Sequence, residues 1–203
     1  MSDTVRIEAL TGEALTAYIP DLARLRIEVF REFPYLYEGD LDYEQHYLRK
    51  YVVAPGAVIV LALDGERVVG ASTALPLIHA DAEFQQPFRD HGYRVEEVFY
   101  LGESVLLAAY RGRGLGGRFF TEREAQARRL GGFAWTAFCA VERPADHPRR
   151  PADYRPHDVF WTKRGYARHP ELITHYHWRD LGEDRETDKP MVFWLKALDG
   201  ETV

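Results

Sequence analysis

The residues most specifically suited to chemistry lie mid-chain, in Arg111-Gly112-Arg113-Gly114-Leu115-Gly116-Gly117-Arg118. An uncharged run at 104–109 leads into them, and Leu115, Phe119, Phe120, Ala127 and Leu130 then fall on one arc of a helix stepping about 100° per residue. The run reads as a strand buried on both faces, with the helix starting at the glycines. The first amides of a helix have no intrahelical acceptor, and its aligned peptide dipoles leave partial positive charge there. A phosphate or pyrophosphate is the natural ligand of such a junction. Glycines allow it close to the backbone, and Arg111, Arg113 and Arg118 can add charged, forked hydrogen bonds to the same oxygens. A glycine-rich turn with solvated arginines is the plainer reading. Strand, four glycines, three arginines and helix coinciding favour the anion site.

Several phosphate ligands share this chemistry. Gly112-x-Gly114-x-x-Gly117 also fits a dinucleotide fingerprint, with Glu142 after the next strand as a ribose ligand, but a lone fingerprint is weak. Dinucleotide folds place these glycines after their first strand, whereas more than half of this chain precedes them. No Lys-Ser or Lys-Thr follows the glycines, which excludes a nucleotide-triphosphate loop.

Around this centre the chain alternates strands and helices. Residues 5–9 alternate like a first strand; Leu22, Leu25, Ile27, Val29 and Phe30 mark a helix ending before Pro34; a second helix covers 43–51. The connection carries Phe33, Tyr35, Tyr37, Glu38, Asp40, Asp42, Tyr43 and Glu44, either one wall for a cationic ligand or, as the patch alone reads better, a loop with half-buried tyrosines. Residues 57–63 and 66–75 flank Asp64-Gly65 as an antiparallel hairpin. A polar segment with a short helix at 80–90 follows, before Val98 starts the central strand. Gly131-Gly132 stops the glycine helix, and 133–141 is a fifth strand, giving one parallel crossover. The loop 142–156, rich in proline and arginine, is either a clamp using Arg143, Arg149, Arg150 and Arg155 or a solvated connector. A short helix at 157–164 ends at Gly165-Tyr166, and strands at 172–178 and 191–195 flank an acidic loop at 182–189. His175 and His177 share a strand face without a third ligand at recognisable spacing, so no metal site is assigned.

The 203 residues, 46% of them hydrophobic, suffice to fill one core, and residues 1–203 read as a single domain. A net charge of -6 argues against nonspecific nucleic-acid binding. No apolar run spans a membrane and the start is polar, so the expectation is a soluble, cytoplasmic protein. Cys139, the one cysteine, lies in an apolar segment and reads as a small buried side chain, not a nucleophile.

Arg111-Gly112-Arg113-Gly114-Leu115-Gly116 matches every fixed position of R/Q-x-x-G-x-G/A, and the chain resembles the GNAT superfamily of acyl-CoA-dependent N-acyltransferases from its first strand to a last strand near 191–198. The resemblance implies an α+β, mixed α/β fold: a mostly antiparallel sheet of about six to seven strands, splayed between the fourth and fifth and flanked by helices. It implies acetyl-CoA as cosubstrate, with Leu106 and Leu107 offering backbone bonds to pantetheine and Arg111, Gly112, Arg113, Gly114, Leu115, Gly116, Gly117 and Arg118 at the pyrophosphate. Acetyl would pass directly to the amine of a small molecule, with backbone amides around 106–108 on the oxyanion. Glu103 is the first choice of base and Glu97 the second, carboxylates whose partial burial suits them to take a proton. The sequence departs from the family in three places. Tyr100 stands where many relatives carry the catalytic glutamate, Trp161 where they carry the tyrosine that protonates the thiolate, and Tyr154 where they carry an asparagine. An indole cannot protonate a thiolate, which leaves Tyr154, His157 or water to serve instead. A noncatalytic acyl-CoA sensor is the alternative. Exposed aromatics and the last strand make a homodimer an expectation.

Overall fold

The computed structural model describes residues 5–198 of the chain. Arg6–Leu10 (β1) pairs antiparallel with Val58–Asp64 (β2), which returns as Arg67–Pro76 (β3). Asp64 pairs with Arg67, so the turn residues are Gly65 and Glu66, one position later than the pattern predicts. Gly65 takes φ +59°, a conformation that favours glycine, and so it fixes the first turn position.

Two helices precede the hairpin. Ile19–Phe30 (α1) has Pro20 in its first turn, where a missing amide costs no hydrogen bond. Leu41–Val53 (α2) is capped by Asp40, whose carboxylate accepts from the Tyr43 amide at 2.8 Å. Ala82–Asp90 (α3) follows β3, and then the central strand arrives in two pieces, Val98–Tyr100 (β4) and Ser104–Leu106 (β5). Leu115–Leu130 (α4), Trp135–Val141 (β6), Asp158–Lys163 (α5), Ala167–Trp178 (β7) and Thr187–Ala197 (β8) complete the described chain.

The sheet runs β1-β2-β3-β4-β6-β8-β7, with β5 paired to β3; only β4 and β6 run parallel. The eighth strand comes from the break at residues 101–103. A Cβ on Gly102 would lie 2.6 Å from Thr73 Oγ1 and 2.7 Å from the Tyr51 hydroxyl, so only glycine fits. Around it Gly102 N donates to Thr73 O, Thr73 N donates to Glu103 O, and Glu103 N donates to Thr73 Oγ1. Pairing with β6 ends where Leu101 N donates to Ala137 O at 2.7 Å. Beyond that bond β5 has β3 on one side and no strand on the other. This wedge is the splay implied for the fourth and fifth strands, now between β5 and β6.

The expected strand at 104–109 is corrected to three residues. Ala108–Tyr110 is a 3-10 turn with Ala108 and Ala109 exposed. Alanine carries too little apolar surface to distinguish burial from exposure, so the uncharged run overstated the strand. Other differences are shifts of a few residues. β8 begins at Thr187, inside the expected acidic loop, because Lys189 is buried and pairs with Asp180 at 3.3 Å. β7 begins at Ala167, with a register shift between His169 and Ile173 around Pro170, which has no amide for the ladder.

Cys139 is buried on β6, 3.3 Å from the Tyr100 hydroxyl, and burial pushes its thiol up to about 12. The folded protein should therefore resist an aromatic disulfide reagent at pH 8 and react once denatured, because the thiolate is the nucleophile. Fast reaction of the native protein would show the site to be open.

Candidate functional site

A cavity of about 390 Å³ opens beside the broken strand. Tyr100, Gly102 and Glu103 reach it from the break, Arg26 from α1, and Glu44 and Tyr47 from α2. α1 buries Leu22 and Leu25, and Arg26, four residues after Leu22, lies on the same buried side. Glu44 likewise precedes buried Leu48 and Tyr51 by four and seven positions on α2. Sequence reasoning missed Arg26 and did not single out Glu44, although a charge on an apolar helical arc was the available signal.

These side chains form one charged cluster. Arg26 Nε pairs with Glu44 Oε2 and Arg26 Nη1 with Glu103 Oε1. Burial opposes the arginine's charge, but Glu103 and Glu44 outweigh it and raise its pKa well above the ordinary value. Two carboxylates on one guanidinium leave a net charge of about -1. Tyr47 donates to Glu103 Oε2 at 3.4 Å, and burial together with the charge of Glu44 and a hydrogen bond to it raises the hydroxyl pKa of Tyr37. Burial also raises the hydroxyl pKa values of Tyr47 and Tyr100, keeping them neutral.

The remaining walls come from the two ends of the chain. Tyr35, Tyr37 and Glu38 line the cavity beside Tyr176, Trp178 and Asp184. The aromatic and acidic connection between α1 and α2, better read alone as an ordinary loop, is therefore cavity wall. It is stitched to the β7–β8 turn: Glu38 N donates to Arg179 O, Leu181 N to Leu36 O, and Trp178 Nε1 to Tyr35 O. Arg143 closes the seam by donating to Pro34 O and Tyr35 O at 2.8 Å each and pairing with Asp180 at 2.8 Å. It is a buried anchor, not part of a clamp. Arg143→Met should lower stability by about 3 kcal/mol in urea unfolding, since Lys189 still partners Asp180. A change under about 0.5 kcal/mol would refute the anchor.

Leaving the break, the chain reaches the glycines. Alternation along β5 fixes which backbone groups face the wedge. Glu103, Val105 and Leu107 bond towards β3, and Leu107 N donates to Val69 O at 3.0 Å. Leu106 faces the other way, its carbonyl accepting from Arg111 Nε at 3.0 Å. Leu107 is thus corrected as a backbone contact in the wedge, because its amide is in the ladder and its carbonyl accepts from Tyr110 N. Gly112 (φ +76°) and Gly114 (φ +80°) are left-handed, and a Cβ on either would meet nothing within 4 Å. Gly114 is the N-cap of α4, with Leu115, Gly116 and Gly117 forming its first turn, so the first amides there have no intrahelical acceptor and no side chain of the N-cap to bond. Arg113 lies 5.1 Å over the Tyr110 ring, Arg118 is exposed, and Arg111 pairs with Glu32 at 2.7 Å. This mouth fits an anionic diphosphate group.

Continuous pairing on one side of a broken central strand, a wedge on the other and a glycine-led helix beyond it are the features of one known architecture. The structure superposes on ribosomal-protein-alanine N-acetyltransferase from Brucella melitensis with a TM-score of 0.62 and 15% identity, covering 95% of this chain and 99% of that one. The fold is that of the GNAT acetyltransferases. NAA60 of Arabidopsis thaliana, in complex with a bisubstrate analogue, shares the GNAT fold at TM-score 0.62 and 12% identity, over 97% of this chain and 99% of that one. A putative acetyltransferase from Salmonella typhimurium, with its cofactor acetyl-CoA, does so at 0.59 and 11%, over 97% and 96%. No family model and no curated protein matches the sequence.

The other predicted site residues of this GNAT fold lie elsewhere. Glu97 pairs with Arg94 at 2.6 Å and does not line the cavity. Tyr154 packs edge-on against Phe33 at 4.7 Å, beneath Arg150, also outside the lining. Trp161 packs against Phe138 and Trp194. Burial and the charge of Arg111 lower the pKa of His157. His175 and His177 both contact Asp188, but among the described residues no three such side chains are placed to hold one metal ion. No described helix is long and apolar enough to cross a membrane.

Proposed function

We propose that the protein transfers an acetyl group from acetyl-CoA to the amine of a small molecule. One observation carries the reading: the break at Gly102 delivers Glu103 into the cavity while the same strand runs on to the helix start at Gly114. Acetyl-CoA supplies an acyl carbon attached to a good leaving group, the thiolate. The amides at the start of α4, with Arg113 and Arg118, hold the diphosphate, and Arg111 joins them on exchanging Glu32 for it. The amine enters protonated, and Glu103 takes that proton, which neutralises the charge of the Arg26 cluster. The free nitrogen bonds to the acyl carbon, the carbon–sulfur bond breaks, and the nitrogen's second proton passes to solvent. Leu106 N–H, on the wedge side of β5, donates to the carbonyl oxygen as charge develops there. The thiolate is reprotonated from solvent, since no tyrosine stands at position 161.

A noncatalytic acyl-CoA sensor is the second reading, favoured by Trp161 in the place of an acid. Free-thiol release across an amine panel, alongside calorimetric titration with acetyl-CoA, separates the two. Binding with release supports transfer; saturable binding without release from any amine supports the sensor; no binding by the folded protein overturns both.

Glu32→Gln should tighten coenzyme A binding by about two- to fivefold, because an exposed ion pair worth at most about 1 kcal/mol no longer competes for Arg111. Calorimetry would read this directly. Weaker binding would mean that Glu32 orients Arg111 instead of competing for it.

A further inference from the structure

The cavity's lining separates into an aromatic array and an acidic cluster, and together they define a ligand. Phe84 lies 5.3 Å from the Tyr100 ring and 5.4 Å from the Tyr176 ring, with interplanar angles of 32° and 34°. Trp178 continues the array, 6.4 Å from Tyr176 and 5.9 Å from Tyr35. Five rings in one array offer a flat apolar body far more contact than an amine alone needs. Elsewhere in the lining, Glu44 and Glu103 share Arg26; Glu44 is fully buried beside Tyr37, and Glu103 is the less buried of the two. Two carboxylates on one guanidinium leave negative charge that a ligand cation complements.

The charge balance then excludes one class. The lining holds six carboxylates against three arginines, and the one buried arginine, Arg26, is already held by two of those carboxylates. Arg179 and Arg185 line the cavity but are exposed to solvent, and Asp184 and Glu186 flank Arg185 in sequence. A substrate carboxylate would find like charge and no free buried cation. At about 390 Å³ the cavity lies near the small end of ligand sites, which run from about 300 to 1,000 Å³.

Resting on the acetyltransferase reading, we propose that the acceptor is a primary amine on an aromatic body without a carboxylate, an arylalkylamine. The ring stacks along Phe84 and Tyr176, and the ammonium approaches Glu103, with the buried Glu44 adding to the cluster's negative charge. Glu103 takes one proton from it, the nitrogen bonds to the acetyl carbon and gives up a second proton to solvent as the carbon–sulfur bond breaks, and the departing thiolate takes one proton from solvent; once Glu103 returns its proton to solvent, amide, free thiol and one released proton balance ammonium and thioester.

The test measures thiol release from acetyl-CoA with phenethylamine, phenylalanine, putrescine and a peptide with a free amino terminus. Phenethylamine should exceed phenylalanine in kcat/KM by about 100-fold through charge alone, and putrescine by about tenfold through the ring. Tyr176→Ala should cut the preference for phenethylamine over putrescine about tenfold; a merely structural loss would lower both alike. Glu44→Gln should raise KM for phenethylamine more than it lowers kcat, with acetyl-CoA affinity, read by calorimetry, confirming that the variant is folded. Release that favours phenylalanine, putrescine or the peptide overturns the substrate class and leaves the acetyltransferase reading standing. Release from none of them, with acetyl-CoA bound, overturns the substrate class and counts against the acetyltransferase reading as well.

Discussion

Glu103→Gln should lower kcat by about 100-fold or more and leave acetyl-CoA affinity unchanged. General base catalysis by a positioned side chain contributes about 10²- to 10⁴-fold, and the amide keeps the shape of the carboxylate without its ability to take a proton. Arg26 remains paired with Glu44, so the buried guanidinium is not abandoned and the fold should hold. The comparison that gives the result its meaning is Glu97→Gln. Glu97 lies before the same strand, but it pairs with Arg94 outside the cavity, and its variant should turn over like the parent. If Glu103→Gln kept more than about a third of parental turnover, or Glu97→Gln lost as much as it did, the base would have to be sought elsewhere.

Gly114→Ala should weaken acetyl-CoA binding by about 100-fold while costing only about 1–2 kcal/mol of stability, the strain of a left-handed alanine. A Cβ there meets no protein atom, so the fold has room for it. The space it enters is where an anion must sit to reach the first amides of α4. Displacing a charged oxygen from two such donors loses about 1.5–3 kcal/mol each. Calorimetry would read the affinity and urea unfolding the stability. Retained affinity in a folded Gly114→Ala would remove the diphosphate from this helix start and with it the reading of the whole mouth.

The mouth was legible in the sequence because its determinants are local. Gly112, Gly114 and the apolar arc of α4 lie within about five turns of helix, and each requirement, a left-handed φ or a period of 3.6, is written in neighbouring residues. The break in the central strand was not. Gly102 is required there by Thr73 and Tyr51, which are 29 and 51 positions earlier, and no local pattern marks a glycine whose constraint is another segment's side chain. The cavity was half legible. Its tyrosines and carboxylates between α1 and α2 were visible as a patch, but the bonds that make the patch a wall join residues more than 100 positions apart. Arg143, read in the sequence as part of either a clamp or a solvated connector, turned inward for the same reason: two carbonyls and Asp180 offered it more than solvent could.

The seam closed by Arg143 also divides the molecule's labour. Everything from the break at Gly102 to the end of β6, the glycine turn included, is one uninterrupted stretch of polypeptide, whereas the cavity gathers much of its wall from residues 35–38 and 176–186 and includes them only after they dock. On the proposed reading, exchange of those outer segments between relatives would retune which amine is welcomed without disturbing how the thioester is held.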